Sequence, residues 1–244
     1  IRTLLGLLKP NSGHVSVLGM DAHRQRAEIA DHIGYLPSEV FYYPQMRVKD
    51  VLEYAASFYK KECSARIAEL SQLLELDLHR RVEDLSLGNK KKVGIVQGLL
   101  HSPDIIILDE PTSGLDPLMQ QRFFDLLEAE NHRGATVLFS SHILSEVQRL
   151  CKRIAIIKDG RLVSLQSMDQ LSTENYKRIR VVSTLPPTFD SLAGLRDLKT
   201  LDHVTTFIFK GNINELIAAL SQQELLDLSV EEPSLDEIFM HYYQ

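Results

Sequence analysis

The residues best placed to do chemistry are two adjacent carboxylates at the end of an apolar run. The run Ile105-Ile106-Ile107-Leu108 ends in Asp109-Glu110-Pro111. Such a continuously apolar stretch reads as a strand covered on both faces, as in a parallel sheet. Open parallel sheets gather ligands at the carboxyl ends of their strands. An aspartate there can hold a magnesium ion, directly or through water. The glutamate beside it can polarise an attacking water as a general base. The competing interpretation is a surface turn carrying two solvated acids.

Three further stretches carry chemistry-bearing residues. In Leu85-Ser86-Leu87-Gly88-Asn89 a serine and a glycine stand at the start of a helix over Lys90–Leu100. Exposed N–H groups and the positive end of the helix dipole make such a start an anion site. The same serine can equally be a simple N-cap. In Ser113-Gly114-Leu115-Asp116, the aspartate followed by Pro117 reads as an N-cap with proline at the first helical position. His142 follows the strand Thr136–Ser140, where an imidazole can donate to a phosphate or be a plain loop residue. The run Lys90-Lys91-Lys92 reads as a solvated face that adds positive potential, rather than as a nucleic-acid patch.

The elements that must position these residues follow from periodicity. Arg2–Leu8 reads as the end of a helix, Pro10-Asn11-Ser12-Gly13 as a turn, and His14–Leu18 as a strand stopped at Gly19. Ile33–Pro37 is a second strand. Val48, Val51, Leu52, Ala55 and Phe58 fall on one helical face, and Ile67, Leu70, Leu73 and Leu74 on another. These helices form an insertion. Beyond it, strands at Ile105–Leu108, Thr136–Ser140 and Ile154–Lys158 alternate with helices from Pro117 and Leu144. That alternation predicts a parallel α/β core. Asp159-Gly160 makes a hairpin into Arg161–Leu165. A polar stretch over Met168–Lys177 marks a boundary. After it come strands at Arg178–Val182, Val204–Phe209 and Leu225–Val230, with helices at Ile213–Leu220 and Ser234–Tyr242.

Composition narrows the function classes. With 44% hydrophobic and 25% charged residues, the 244-residue chain is ordinary for a globular protein with room for a second small domain. No apolar run approaches the roughly 20 residues of a membrane-spanning helix. Ile1–Gly6 lacks the pattern of a secretory leader. Two cysteines, Cys63 and Cys151, have no metal-ligand spacing and read as free thiols in a reducing cytosol. A net charge of -6 argues against non-specific nucleic-acid binding.

Order and spacing together resemble the ABC (ATP-binding cassette) ATPases from Ile1 to about Leu165. Leu85–Asn89 looks like the family's signature motif, usually Leu-Ser-Gly-Gly-Gln. Asp109 and Glu110 look like the Walker B aspartate and catalytic glutamate, Ser113–Asp116 like the D-loop, and His142 like the switch histidine. The resemblance implies a P-loop NTPase-like parallel sheet core at residues 1–167, with a helical subdomain at about 48–100 and a small α+β accessory domain at 168–244. It implies ATP and Mg2+ as cofactors. Glu110 and His142 would be catalytic, with Asp109 at the metal. Ser86, Gly88, Asn89, Ser113, Asp116 and Ser38 would stand around the nucleotide. It also implies a transmembrane permease partner, a second ATP-binding subunit to close the dimer, and a place on the cytoplasmic side of the membrane. The ending Glu232–Phe239 is similar to the tail of bacitracin and multidrug exporter subunits.

The sequence departs from the family at several points. Ser38 stands where a glutamine usually reaches magnesium and water. Leu87 replaces a glycine and Asn89 a glutamine. No Gly-x4-Gly-Lys-[Ser/Thr] run occurs. A stretch like Ile1–Pro10 follows that loop in the family, so the natural chain is expected to carry it upstream. The alternatives are an inert or regulatory relative without that loop, or an ABC ATPase that acts outside transport.

Overall fold

The computed structural model describes residues 1–168, 176–185, 187, 189, 192–221 and 223–231. They divide into two compact units, Ile1–His142 and Ile143–Gln244.

The first unit is built on three parallel strands, β3 (Ile33–Leu36), β4 (Ile105–Asp109) and β5 (Thr136–Ser140), in the order β3-β4-β5. In β4, Ile106, Ile107 and Leu108 are at most 2% exposed, as a central strand covered on both faces requires. The register pairs Leu36 with Leu108, and Asp109 with Ser140. All three strands therefore finish at one edge. Before them, β1 (Ser16–Val17) and β2 (Met20–Asp21) form a two-residue hairpin. This corrects the single strand expected over His14–Leu18. Leu18 and Gly19 both take positive φ, 52° and 78°, as the turn of a tight hairpin demands. Residues 1–8 make hydrogen-bonded turns rather than a regular helix, with Leu5 N–H donating to the Ile1 carbonyl at 3.1 Å.

Helices complete this unit, some packed on the sheet and some on one another. They are α1 (Arg26–Ala30), α2 (Val48–Ala56), α3 (Ser64–Leu73), α4 (Leu87–Leu99) and α5 (Pro117–His132). α2 buries Val48, Val51, Leu52 and Ala55 of the expected stripe; Phe58 lies past its end and is exposed, as is Leu73 of the second stripe. Arg66 of α3 pairs with Glu130 of α5, whose side chain is 4% exposed. Arg133 meets the same carboxylate at 2.7 Å, so the buried charge is matched from two sides.

The second unit holds α6 (Leu144–Leu150) and the antiparallel hairpin of β6 (Arg153–Lys158) and β7 (Arg161–Ser167). Asp159 and Gly160 form its turn, at φ 49° and 73°. It also holds a four-stranded antiparallel sheet of β8 (Tyr176–Ser183), β9 (Leu195–Leu201), β10 (Val204–Lys210) and β11 (Leu225–Glu231), in the order β11-β8-β10-β9. Helix α7 (Ile213–Leu220) contributes Leu216 and Leu220 to a core with Ile179, Val181, Phe207 and Phe209. The helix expected at Ser234–Tyr242, like the tail similarity over Glu232–Phe239, lies outside the described residues.

Candidate nucleotide site

The site forms where β4 and β5 end. Asp109 is the last residue of β4, and the Ser140 hydroxyl donates to its Oδ1 at 2.6 Å. The two residues are cross-strand partners, so the register alone brings them together. Glu110 follows with φ 47°, a left-handed conformation that costs a residue with a side chain of order 1 kcal/mol. Its N–H donates to the Ser140 carbonyl at 3.0 Å, which holds the turn in place. The turn puts Glu110 Oε2 2.8 Å from His142 Nδ1. The glutamate is 30% exposed and the histidine 80%, so the pair faces solvent at the sheet edge.

Two more of the expected motifs sit side by side elsewhere in the unit. Ser86 is the N-cap of α4, its hydroxyl accepting from Asn89 N–H at 3.3 Å. A Cβ at Gly88 would fall 2.5 Å from the Gly114 carbonyl. The missing side chain thus lets the Ser86–Asn89 turn press against the Ser113–Asp116 loop. Gly114 itself takes φ 82°. Asp116 caps α5 by accepting from Met119 N–H at 2.9 Å, with Pro117 at the first helical position. Both helix starts are therefore N-caps. Ser38 is exposed after β3, and its carbonyl accepts from Lys91 Nζ at 2.9 Å.

Asp109 is a hard oxygen donor, the type Mg2+ prefers. Among the described residues no group of three or more His, Cys, Asp or Glu could hold a metal. Mg2+ keeps several waters and takes one or two carboxylates, which Asp109 with Glu110 beside it can supply, together with phosphate oxygens.

The sequence compares closely with known proteins. Residues 1–113 match the ABC transporter family. The uncharacterized ABC transporter ATP-binding protein YdbJ of Bacillus subtilis (strain 168) is 34% identical over 238 residues, which is 94% of this chain and 76% of that protein. This chain belongs to the ABC transporter ATP-binding family.

The bacitracin transport ATP-binding protein BcrA of Bacillus licheniformis is 34% identical over 181 residues, covering 72% of this chain and 59% of that one. A solved ATP-binding subunit of an ABC transporter superposes with TM-score 0.64 at 28% identity, over 70% of this chain and 73% of that chain. The dimeric cassette MJ0796 shares the fold, with TM-score 0.62 over 68% of this chain and 78% of that chain at 24% identity. As an ABC ATP-binding subunit, the chain is the ATP-hydrolysing component of a transporter. Such subunits work with transmembrane partners. Among the described residues no helix is long and apolar enough to cross a membrane.

Sequence reasoning missed two features of this subunit. Lys91 is not solvated; it is 2% exposed. A buried lysine inside a basic triplet leaves no trace in composition, although a helical wheel puts residue 91 on the same side as Gly94 and Gly98. The second feature is a cavity of about 570 Å³ whose walls include Tyr35, Pro37, Phe41, Tyr43, Tyr54 and Phe58. Phe41 and Phe58 are 85% and 67% exposed. Single exposed aromatics are ordinary, but four in one groove are not. The clustered aromatics of the Phe41-Tyr42-Tyr43 run are the signal that was available.

Proposed function

We propose that this subunit drives export by a separate membrane-spanning permease, through ATP-driven pairing of two copies. The observation that carries the reading is the Glu110–His142 pair beside the Ser140-held Asp109, all at one edge of the parallel sheet. In this reading Glu110 accepts a proton from the attacking water, and His142 holds Glu110 while donating toward the terminal phosphate. Asp109 and bound water hold Mg2+, which when present neutralises charge on the phosphates. Ser86, Gly88 and Asn89 of one copy face the nucleotide of the other, with Ser113 and Asp116 lining the contact. Ser38 takes the place beside the metal through water. The dimeric form of the MJ0796 cassette supports pairing. The bacitracin transport relative supports export.

The aromatic groove supports a docking place for the permease. Its wall includes Pro37, the residue after β3, so it adjoins the loop that leads from the nucleotide edge. An apolar helix of the permease suits four exposed rings better than a charged segment does. The catalytic domain is taken to span residues 1–167, with 168–244 as an accessory domain. The subunit then sits on the cytoplasmic face of the membrane, held there by its permease.

The test is ATP turnover and oligomeric state of the full-length protein and its Glu110→Gln variant, with Mg2+ present. The variant is expected to retain ATP and elute as a stable dimer. Turnover equal to wild type would remove Glu110 as the base.

A further inference from the structure

Helix α4 lies on strand β3 with almost nothing between them. A Cβ at Gly34 would fall 2.1 Å from the Gly98 carbonyl, and one at Gly94 would fall 2.7 Å from Leu36 Cδ1. The helix therefore runs antiparallel to the strand, position 98 over 34 and position 94 over 36. Seven helical residues cover roughly 10 Å, and three to four strand residues cover roughly the same. The next position on that helical face is 91, and it reaches just beyond the strand. There Lys91 Nζ donates to the carbonyls of Pro37 at 3.1 Å and Ser38 at 2.9 Å.

An ammonium this deeply buried is costly unless its hydrogen bonds are met and its charge is balanced. Burial pushes the Lys91 pKa down, while the nearby carboxylates of Asp109 and Glu110 push it back up. The charge is thus held between two backbone carbonyls and the acidic pair at the end of β4. An apolar side chain of the same length would leave both carbonyls without that donor.

We infer that Lys91 is a positioning residue: its ammonium pins the Pro37–Ser38 turn to the first turns of α4 and so fixes the wall of the aromatic groove against the nucleotide edge. Ser86 caps the start of α4, so one rigid element joins the Ser86–Asn89 turn to the groove. Lys91 ties the turn through the Ser38 carbonyl, which leaves the exposed Ser38 side chain free of that role. The transport-ATPase reading is needed only for the consequence in coupling; the tie itself is a property of the fold.

The experiment is hydrogen–deuterium exchange of the full-length protein, comparing Lys91→Met with the half-buried neighbour Lys92→Met. Lys91→Met is expected to speed exchange over residues 38–43 roughly five-fold, through the loss of two weak hydrogen bonds. Lys92→Met is expected to match wild type. With the permease present, Lys91→Met should keep its KM for ATP within about two-fold while stimulated turnover falls roughly ten-fold. Wild-type exchange over 38–43 in Lys91→Met overturns the inference, whatever its ATPase activity. Should that variant not fold, Lys91→Gln, which keeps two N–H donors without the charge, is read instead. It should show intermediate exchange, and wild-type exchange there overturns the inference equally. A wild-type protein that exchanges as described but does not hydrolyse ATP refutes the transport-ATPase reading and leaves the tie standing.

Discussion

The two sheets of this subunit use the same strand physics to opposite ends. In the parallel sheet every strand finishes at the same edge. Residues far apart in sequence, such as Ser38, Asp109 and Ser140, are delivered there by topology alone. In the four-stranded antiparallel sheet, neighbouring strands finish at opposite edges. Its polar residues are spent on cross-strand pairs instead, such as Arg180 with Asp227 at 3.0 Å and Thr200 with Thr205 at 3.1 Å. Its apolar face packs Phe207 and Phe209 on α7. The first sheet gathers chemistry, and the second gathers packing. Left-handed backbone occurs in both, at Glu110 beside the site (φ 47°) and at Asp197 in β9 (φ 49°), so it does not by itself separate them.

That contrast can be broken experimentally. The largest effect is expected from Phe207→Ala, which truncates a 2% exposed ring in the second sheet. It should cost about 3–5 kcal/mol in urea unfolding of that unit. Basal ATP turnover should change by less than about two-fold if the sheet is a packing element. A large loss of turnover would show that the second sheet also serves the chemistry. His142→Ala should do the reverse. Turnover should fall about 100-fold, the usual worth of a positioned proton-transfer group. The melting temperature and ATP affinity should hardly move. An unchanged rate would reduce His142 to a loop residue.

Acid should separate the units as well. His101 is buried and stacked on Tyr59, with ring centroids 3.9 Å apart. Burial lowers its pKa to about 4. Between that value and the ordinary 6.5 the unfolded chain binds more protons than the folded one. Stability of the first unit therefore falls as pH is lowered through this window. The loss should be about 2 kcal/mol at pH 5 relative to pH 8. Urea midpoints at the two pH values, read separately for each unit, decide it. Equal acid sensitivity in both units would remove His101 as the cause. The smallest effect is expected at Asp116→Ala, which removes the α5 cap. A loss of about 1 kcal/mol marks a cap alone. A much larger loss of turnover than of stability would mark a residue at the dimer contact.

Much of this architecture was legible before any coordinates. The apolar run of β4, the period of α2 and the Asp159-Gly160 turn each specify their element locally. Strand β9 was not legible. Leu195–Leu201 is a polar edge strand with Asp197 at φ 49°, and its identity comes only from pairing with β10. The Ser16–Asp21 hairpin was missed because two-residue strands carry too little alternation to register. At the site, the identities of Asp109, Glu110 and His142 were readable from motif order. Their contacts were not: the Ser140 hydroxyl on Asp109 depends on a register that no local pattern announces. Lys91 was misread because burial of a charge is decided by what it meets across the fold, here two carbonyls more than fifty residues away.

The contact between Gly88 and Gly114 has a consequence for how this subunit can vary. With 2.5 Å between the place of a Cβ and a carbonyl oxygen, the two loops share one volume. A side chain at position 88 can enter only if the Ser113–Asp116 loop moves away, and that movement would carry the Asp116 cap of α5 with it.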